Sequence, residues 1–408
     1  MTKKMKILII SQVFWPDSVA AAQHLADLIE DLAAGGHAVE IFTSSRSYEN
    51  PLLRYKSHEK YHTAKVTRFW QTGFGKRFIW GRLLDLASLN FSLLLALLKI
   101  KRKEYDVIIG LTVPPLASFI SVIVARYRGI KFIYWTMDLQ PELAIATGFF
   151  KKGPLSNLLL SIGNYIFRKS DCILTLDKYM AGYIAGRAED PSKIKIITLW
   201  PVMRQIYSGA REDNPFRIKN GFTGKIVIMY AGNHAITHPL DTVLEAALRL
   251  RDDPRFLFVF IGSGVRVKDV ARVKLGHSMD NIIQLPYEDR ENIHFSLGAA
   301  DIQLVVQGDG CTGYTHPNKI YGALFIGRPV LYVGSSPNHI SDILAICPNN
   351  ISVRQGEVDT LVEELKAFAA LPESDRGKIG DSNMKYAQSH FTREKLTKEL
   401  IAIIESVR

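Results

Sequence analysis

Three apolar runs in the second half of the chain each end in a glycine-rich loop, and these loops hold most of the residues suited to binding a phosphate. Lys225–Ala231 leads into Gly232-Asn233-His234-Ala235-Ile236-Thr237-His238-Pro239, Phe256–Ile261 into Gly262-Ser263-Gly264, and Ile302–Val306 into GDGCTGYTHPNKIYGAL. Glycine lets the backbone approach a ligand closely. Gly308, Gly310 and Gly313 make the third loop a flexible turn, and Pro317 suits the first turn of a helix running on through Lys319, Ile320 and Leu324. A helix N-terminus offers unpaired N–H groups and the positive end of a dipole, a seat for a diphosphate, and Lys319 adds a cation. Lys319 is therefore a candidate catalytic residue. Gly232, Asn233, His234, His238, Gly262, Gly264, Gly313, His316 and Asn318 are candidates for binding a phosphate-bearing nucleotide ligand.

The first half offers carboxylates instead. The run Ile130–Trp135 is followed by Met137-Asp138-Leu139-Gln140-Pro141-Glu142. Two carboxylates four apart after a buried strand can orient or deprotonate a hydroxyl. The plainer alternative makes Asp138 a helix cap and Glu142 a surface residue. Asp17, in the loop Gln12–Ala20 with Trp15 and Pro16, is a further candidate on this side. That loop lacks GxGxxG, which argues against a nicotinamide or flavin enzyme. His234 and His238 lie four apart, but in a Gly/Pro loop without a carboxylate or cysteine at ligand spacing, so no metal is expected. Cys172, Cys311 and Cys347 are too far apart for a disulfide framework or a CxxC site and fit a reducing compartment.

Alternating strands and helices position these loops. Lys6–Ser11, Val39–Thr43, Val107–Leu111, Ile130–Trp135, Cys172–Leu176 and Ile194–Leu199 read as buried strands, with helices over Ala21–Ala34 and about Leu116 to Tyr127. The pattern restarts with Lys225–Ala231, a helix over Leu240–Leu250, and strands Phe256–Ile261, Ile282–Leu285, Ile302–Val306 and Val330–Val333. This predicts an α/β chain of two Rossmann-like, doubly wound domains, residues 1–205 and 206–390, joined by a linker over Pro201–Gly224 and facing each other across a central cleft. Ligands of such sheets sit at the carboxyl ends of the strands.

The net charge of +11 is lopsided. Residues 1–205 hold 28 Lys+Arg against 16 Asp+Glu, and residues 206–408 hold 23 against 24. Such asymmetry points the first half at an anionic partner, nucleic acid or membrane. Within it, Phe74–Lys103 has an apolar stretch, Leu83–Leu98, interrupted by Asp85 and Asn90. Lys76, Arg77, Arg82, Lys99, Lys101, Arg102 and Lys103 flank that stretch, with Phe78 and Trp80 among them. It is short for a membrane span and suits a helix lying in the headgroup layer, or else a buried helix with a basic rim. The basic residues flank apolar ones rather than forming an aromatic-bearing charged face, which weakens a nucleic-acid reading. The N-terminal run Ile7–Ile10 is too short for a signal peptide and reads as the first buried strand.

Several of these segments resemble the retaining family-four glycosyltransferases of the GT-B fold, within them the bacterial group that builds O-antigen, capsule and colanic-acid-like polysaccharides, and most nearly its L-fucosamine transferases. VIIGLTVPPLASF resembles that group's strand-and-diproline segment, and MDLQPELAIATG its Asp-Leu-x-Pro-Glu motif. MYAGNHAITHPLDTVLEAALRL, GYTHPNKIYGALFIGRPVLYVG and HISDIL resemble its donor-domain signatures. The resemblance implies a cytoplasmic enzyme, peripheral on the inner face of the cell membrane, using a nucleotide-diphosphate sugar with no metal or cofactor. It implies a lipid-linked or glycan acceptor held by the first domain, with Asp17 and Asp138 on the acceptor side, and a final helix, Glu394–Val407 within 391–408, crossing back to that domain. Some positions depart from the pattern. Ser18, Val19 and Ala20 stand where many relatives have Gly-Gly. The usual glutamate pair falls on Tyr314 and Gly322, and the loop 234–238 replaces an Arg/Lys pair. A nucleotide-sugar epimerase of the same fold and a non-catalytic membrane- or nucleic-acid-binding chain are the competing readings.

Overall fold

Short, wholly apolar runs can be satisfied only where both faces of a strand are covered, and such runs form Val107–Leu111, Ile226–Ala231, Phe256–Ile261 and Val330–Val333 here. The computed structural model describes residues 4–75, 78–207 and 209–407. The chain forms two compact units, one of Met1–Thr198, Gly313–Thr315 and Glu394–Arg408, the other of Leu199–Thr312 and His316–Arg393.

The first unit is an eight-stranded sheet of β1 (Lys6–Ile10), β2 (Ala38–Ser44), β3 (His58–Tyr61), β4 (Ala64–Phe69), β5 (Val107–Leu111), β6 (Lys131–Trp135), β7 (Cys172–Thr175) and β8 (Ile194–Ile196). The order is β3-β4-β2-β1-β5-β6-β7-β8, parallel except for the β3–β4 hairpin. The strand order reverses between β1 and β5, so the loops after these two strands leave in opposite directions and open the crevice where doubly wound sheets take ligands. Its helices are α1 (Ala20–Ala34), α2 (Ile79–Leu98), α3 (Pro115–Arg128), α4 (Glu142–Ala146), α5 (Pro154–Lys169) and α6 (Lys178–Ala185). The helix α2 starts four residues before the apolar stretch Leu83–Leu98. By length and composition it could cross a membrane, and a third of its span is buried within the unit. Lys76 and Arg77 lie outside the described residues.

The second unit continues with α7 (Pro215–Asn220), β9 (Ile226–Ala231), α8 (Asp241–Arg249), β10 (Phe256–Ile261), α9 (Val267–Gly276), β11 (Ile282–Leu285), α10 (Ile293–Gly298), β12 (Ile302–Val306), α11 (Lys319–Phe325), β13 (Val330–Val333), α12 (His339–Ile346), β14 (Ile351–Val353), α13 (Val358–Ala370) and α14 (Glu373–His390). The six strands run β11-β10-β9-β12-β13-β14, all parallel, and the order reverses between β9 and β12. The loops after these two strands are 232–239 and 307–318, both singled out by their sequence. The last helix, α15 (Arg393–Ser406), counts with the first unit from Glu394 onward.

The stretch expected to be a bare linker is instead partly built into the second unit. Asn214 caps α7 by accepting hydrogen bonds from the Phe216 and Arg217 N–H groups at 2.8 and 3.3 Å, and Phe216 and Phe222 are buried. The Arg217 guanidinium, fully enclosed, donates to the Asp301 carboxylate at 3.1 Å and to the carbonyls of Ala299, Phe222 and Lys225. Asp301 also accepts from the Val227 N–H at the start of β9 and pairs with Arg211. Charged residues read as linker composition are thus the clasp that fastens residues 211–225 to the sheet. Removing one partner of a buried ion pair strands the other charge. Arg217→Ala should therefore lower the unfolding free energy of the second unit by about 3–5 kcal/mol, read from the urea midpoint. A midpoint shared with wild type would remove the clasp from the account.

Candidate active site

At the carboxyl end of β9 the chain turns back tightly against the loop after β10. Gly232, Gly262 and Gly264 have φ of +127°, +125° and +137°. A Cβ on Gly262 would lie 2.2 Å from the Gly232 carbonyl oxygen, and one on Gly264 would lie 2.6 Å from that of His234. These glycines are required first by packing of one loop on another. That packing holds the His234 N–H on the Ser263 carbonyl at 2.8 Å and leaves room above Gly232 for the Lys319 side chain, whose Cε lies 2.8 Å from where a Cβ would stand.

Lys319 opens α11. Its ammonium sits 4.8 Å from the Tyr230 ring centroid and 3.5 Å from the Asn233 carbonyl oxygen. Burial pushes its pKa down to about 8, because a desolvated ammonium is disfavoured. Asn233 O also accepts from the Tyr230 hydroxyl at 2.7 Å, and His238 Nδ1 lies 2.9 Å from that hydroxyl and 3.3 Å from Asn233 O. A carbonyl oxygen only accepts, and the hydroxyl has one proton to give. His238 therefore donates from Nδ1, which leaves Nε2 an acceptor. His234 is buried beside the Tyr230 ring, and neither of its ring nitrogens has a hydrogen-bond partner of ordinary geometry. Burial and the nearby Lys319 charge push it down to about 4 and hold His238 well below the usual imidazole range. At neutral pH the Lys319 ammonium therefore stands beside two neutral imidazoles.

Other residues expected here lie elsewhere. His316 is buried, with Nε2 2.6 Å from the Tyr321 hydroxyl. That hydroxyl is 2.8 Å from His339 Nε2. One hydroxyl donates to one imidazole and accepts from the other, so the two histidines hold opposite tautomers. His316 is thus engaged in packing α11 against α12. Gly313 belongs to the first unit, where a Cβ would meet the Tyr179 carbonyl at 3.2 Å. Asn318 precedes α11 without capping it, and its Oδ1 is buried without a hydrogen-bond partner. A groove of about 600 Å³ beside α8 and α9, lined by Pro239, Glu245, Arg272 and His277 among others, includes neither Lys319 nor the glycines. Among the described residues no three His, Cys, Asp or Glu side chains converge as metal ligands.

In the first unit Asp138 and Glu142 part company. Asp138 is exposed in the loop after β6 and accepts from the Thr315 hydroxyl at 2.7 Å. It does not cap α4, whose N-cap is Pro141. Glu142 begins α4 and is buried. It accepts from the Tyr183 hydroxyl at 3.0 Å, and Arg187 lies over the Tyr183 ring at 3.7 Å. Glu142 is therefore neither a surface residue nor a second open carboxylate beside Asp138. Its place is in the packing that supports the Asp138 loop. Asp17 is buried, accepting from the Tyr55 hydroxyl and the Tyr48 N–H at 2.9 and 3.2 Å. Burial raises its pKa against the opposing hydrogen bonds from Ser47, Tyr55 and Tyr48. The Tyr48 hydroxyl, half-buried, lies in the field of Arg82, Asp138 and Asp17. Sequence reading misses Thr315, Tyr48 and Tyr230, since no local spacing ties them to their partners.

Residues 20–200 match the glycosyl transferase 4-like domain family. The chain is 26% identical over 286 residues to WbjE of Pseudomonas aeruginosa, a probable glycosyltransferase, spanning 67% of this chain and 70% of that protein. Over 412 aligned residues it is 23% identical to WcaI of Escherichia coli K12, a putative colanic acid biosynthesis glycosyl transferase, spanning 97% and 99%. HepE of Anabaena, solved in complex with UDP-glucose, has the same fold with a TM-score of 0.72 at 13% identity, over 98% of this chain and all of that one. Residues 20–200 are thus similar to a glycosyl transferase 4-like domain, and fold and relatives together support a glycosyltransferase of the GT-B fold.

Proposed function

We propose that the chain moves a sugar from a nucleotide-diphosphate donor to a lipid-linked or glycan acceptor in the synthesis of a bacterial surface polysaccharide. The donor is UDP-linked and N-acetylated, the anomeric configuration is retained, no metal or cofactor takes part, and the enzyme works at the cytoplasmic face of the cell membrane without binding nucleic acid. The observation that carries the reading is the cluster at the switch point of the second sheet, where Lys319 stands half-buried among neutral histidines and inward-turned glycine loops. The leaving nucleoside diphosphate gains negative charge as its bond to the anomeric carbon breaks, and a lysine in a desolvated setting stabilises such charge more than one in water. The colanic acid assignment of WcaI and the UDP-glucose of HepE support the same class of product and donor.

In this mechanism the acceptor oxygen bonds to the anomeric carbon as the phosphate oxygen leaves, and the hydroxyl proton passes to the departing diphosphate. Asp138, held by Thr315, positions the hydroxyl. The neutral His234 and the open Nε2 of His238 read polar groups of the donor. Incubation with a panel of UDP- and GDP-sugars and a lipid-linked acceptor, followed by mass spectrometry, tests the assignment. A new sugar nucleotide formed without acceptor would point to an epimerase.

Two predictions follow from the geometry. Lys319→Ala should lower kcat/KM by about 10²–10³-fold in a well-folded protein. In the wild type, donor affinity should be full below about pH 8 and fall as pH rises through it, because that is where the ammonium loses its proton. Lys319→Arg should move that fall to higher pH in a calorimetric titration, and a wild-type profile unchanged to pH 10 would remove Lys319 from the diphosphate. Asp138→Asn should leave the calorimetric donor Kd near wild type while lowering kcat by about 10²-fold or more, and Thr315→Val should do the same more weakly. Loss of donor affinity in parallel with kcat would take Asp138 off the acceptor side.

A further inference from the structure

Three donors converge on the Asn233 carbonyl oxygen. The Tyr230 hydroxyl lies at 2.7 Å, His238 Nδ1 at 3.3 Å and Lys319 Nζ at 3.5 Å. A carbonyl oxygen has two lone pairs, and the two shorter contacts occupy them. Lys319 is left with the longest contact, at the limit of a hydrogen bond, and with the π face of Tyr230. Its side chain lies over Gly232, where a Cβ would stand 2.8 Å from Cε and 3.2 Å from Nζ. Lys65, Lys131 and Lys169, by contrast, each meet a carboxylate, at 2.7, 3.3 and 3.1 Å. Among the described residues no carboxylate pairs with Lys319, and desolvation is the cause of its shift.

A lysine so placed has two chemistries. Charged, it seats an anion. Neutral, it is a nucleophile, and a desolvated pocket is where lysines acquire that role. Burial pushes the Lys319 pKa down to about 8, so near neutral pH a usable share of the side chain is the free amine. The reagent that meets both chemistries carries an anion and an electrophilic carbon side by side. Acyl phosphates are that class: a phosphate joined directly to the carbonyl carbon of an activated acid.

We propose that Lys319 is an acylation site, at which an acyl phosphate seats its phosphate among the loops after β9 and β12, transfers its acyl group to the Lys319 amine and so closes the cluster to diphosphates. The neutral amine attacks the acyl carbon. The bond from that carbon to the phosphate oxygen breaks, and inorganic phosphate leaves with the electron pair. The nitrogen sheds a proton, which the departing phosphate takes, and nothing is oxidised or reduced. The product amide has no charge and adds bulk over Gly232. Acylation at Lys319 rests on the cluster being a phosphate seat, as in the reading above, and adds a covalent control to it.

The test incubates the full chain with acetyl phosphate over a range of pH and follows acetylation of each lysine by peptide mass spectrometry. Near neutral pH Lys319 should be acetylated about tenfold or more faster than Lys101 and Lys151, which are exposed. Its rate should rise with pH and level off above about 8, where the ammonium is largely gone, while the exposed lysines go on rising. Inorganic pyrophosphate should slow Lys319 alone. The uncharged reagent N-acetylimidazole should prefer Lys319 less, since it has no phosphate to seat. Acetylated protein should bind pyrophosphate about tenfold or more weakly in calorimetry, with an unchanged melting curve. Lys319→Arg treated in the same way should keep its binding. Acetylation of Lys319 no faster than of Lys101, a rate indifferent to pyrophosphate, or an equal preference with N-acetylimidazole would each overturn the proposal. Protection by pyrophosphate but not by UDP would leave the acylation standing and remove the nucleotide from the reading above.

Discussion

The position of the Lys319 ammonium depends on backbone packed too closely for a side chain. Gly232, Gly262 and Gly264 sit at positive φ, and a Cβ at any of them would strike a neighbouring carbonyl, the Asn233 amide or Lys319 itself. A non-glycine residue there would be strained twice, by its dihedral and by the clash. The loops after β9 and β10 can therefore stack, Asn233 O can gather the Tyr230 hydroxyl, His238 and Lys319, and the lysine is desolvated without a carboxylate to pair with. A salt-bridged lysine would keep a high pKa and be neutralised in advance. One held only by an aromatic face and a carbonyl dipole retains its charge for a ligand.

Much of this was legible in the residues, for physical reasons. Phe256–Ile261 and Val330–Val333 begin and end where their apolar runs do, since a strand covered on both faces leaves no room for polar alternation. The loops carrying Gly232 and Gly262, and the turn that leads into Lys319, follow from the rule that ligands sit at the carboxyl ends of the strands. The β3–β4 hairpin was not legible, because His58–Tyr61 is a half-exposed edge strand without an apolar pattern. Neither was the separation of Asp138 from Glu142. Four residues apart suggests a shared direction only on a continuous helix, and here Asp138 lies in the loop before Pro141, the N-cap of α4. Thr315, 177 positions from Asp138, has no local signature at all. The buried role of Arg217 was concealed for the opposite reason, since charge in sequence reads as surface until its partners are known.

The buried carboxylate of Asp85 and the half-buried ammonium of Lys319 obey one rule in opposite senses. A charge leaves water at a cost that hydrogen bonds must offset. Asp85 meets that cost with three donors from Thr72, Phe74 and Gly75, and in doing so clears the outer face of α2 of negative charge. Lys319 meets it only in part, and its lowered pKa measures the shortfall. A group whose desolvation is fully offset serves structure, and one left partly unmet is stabilised further when an anion arrives. Hydrogen bonds enclose Asp85 and Glu142 within the packing, whereas Lys319 keeps a partly unmet charge that the proposed reaction would use.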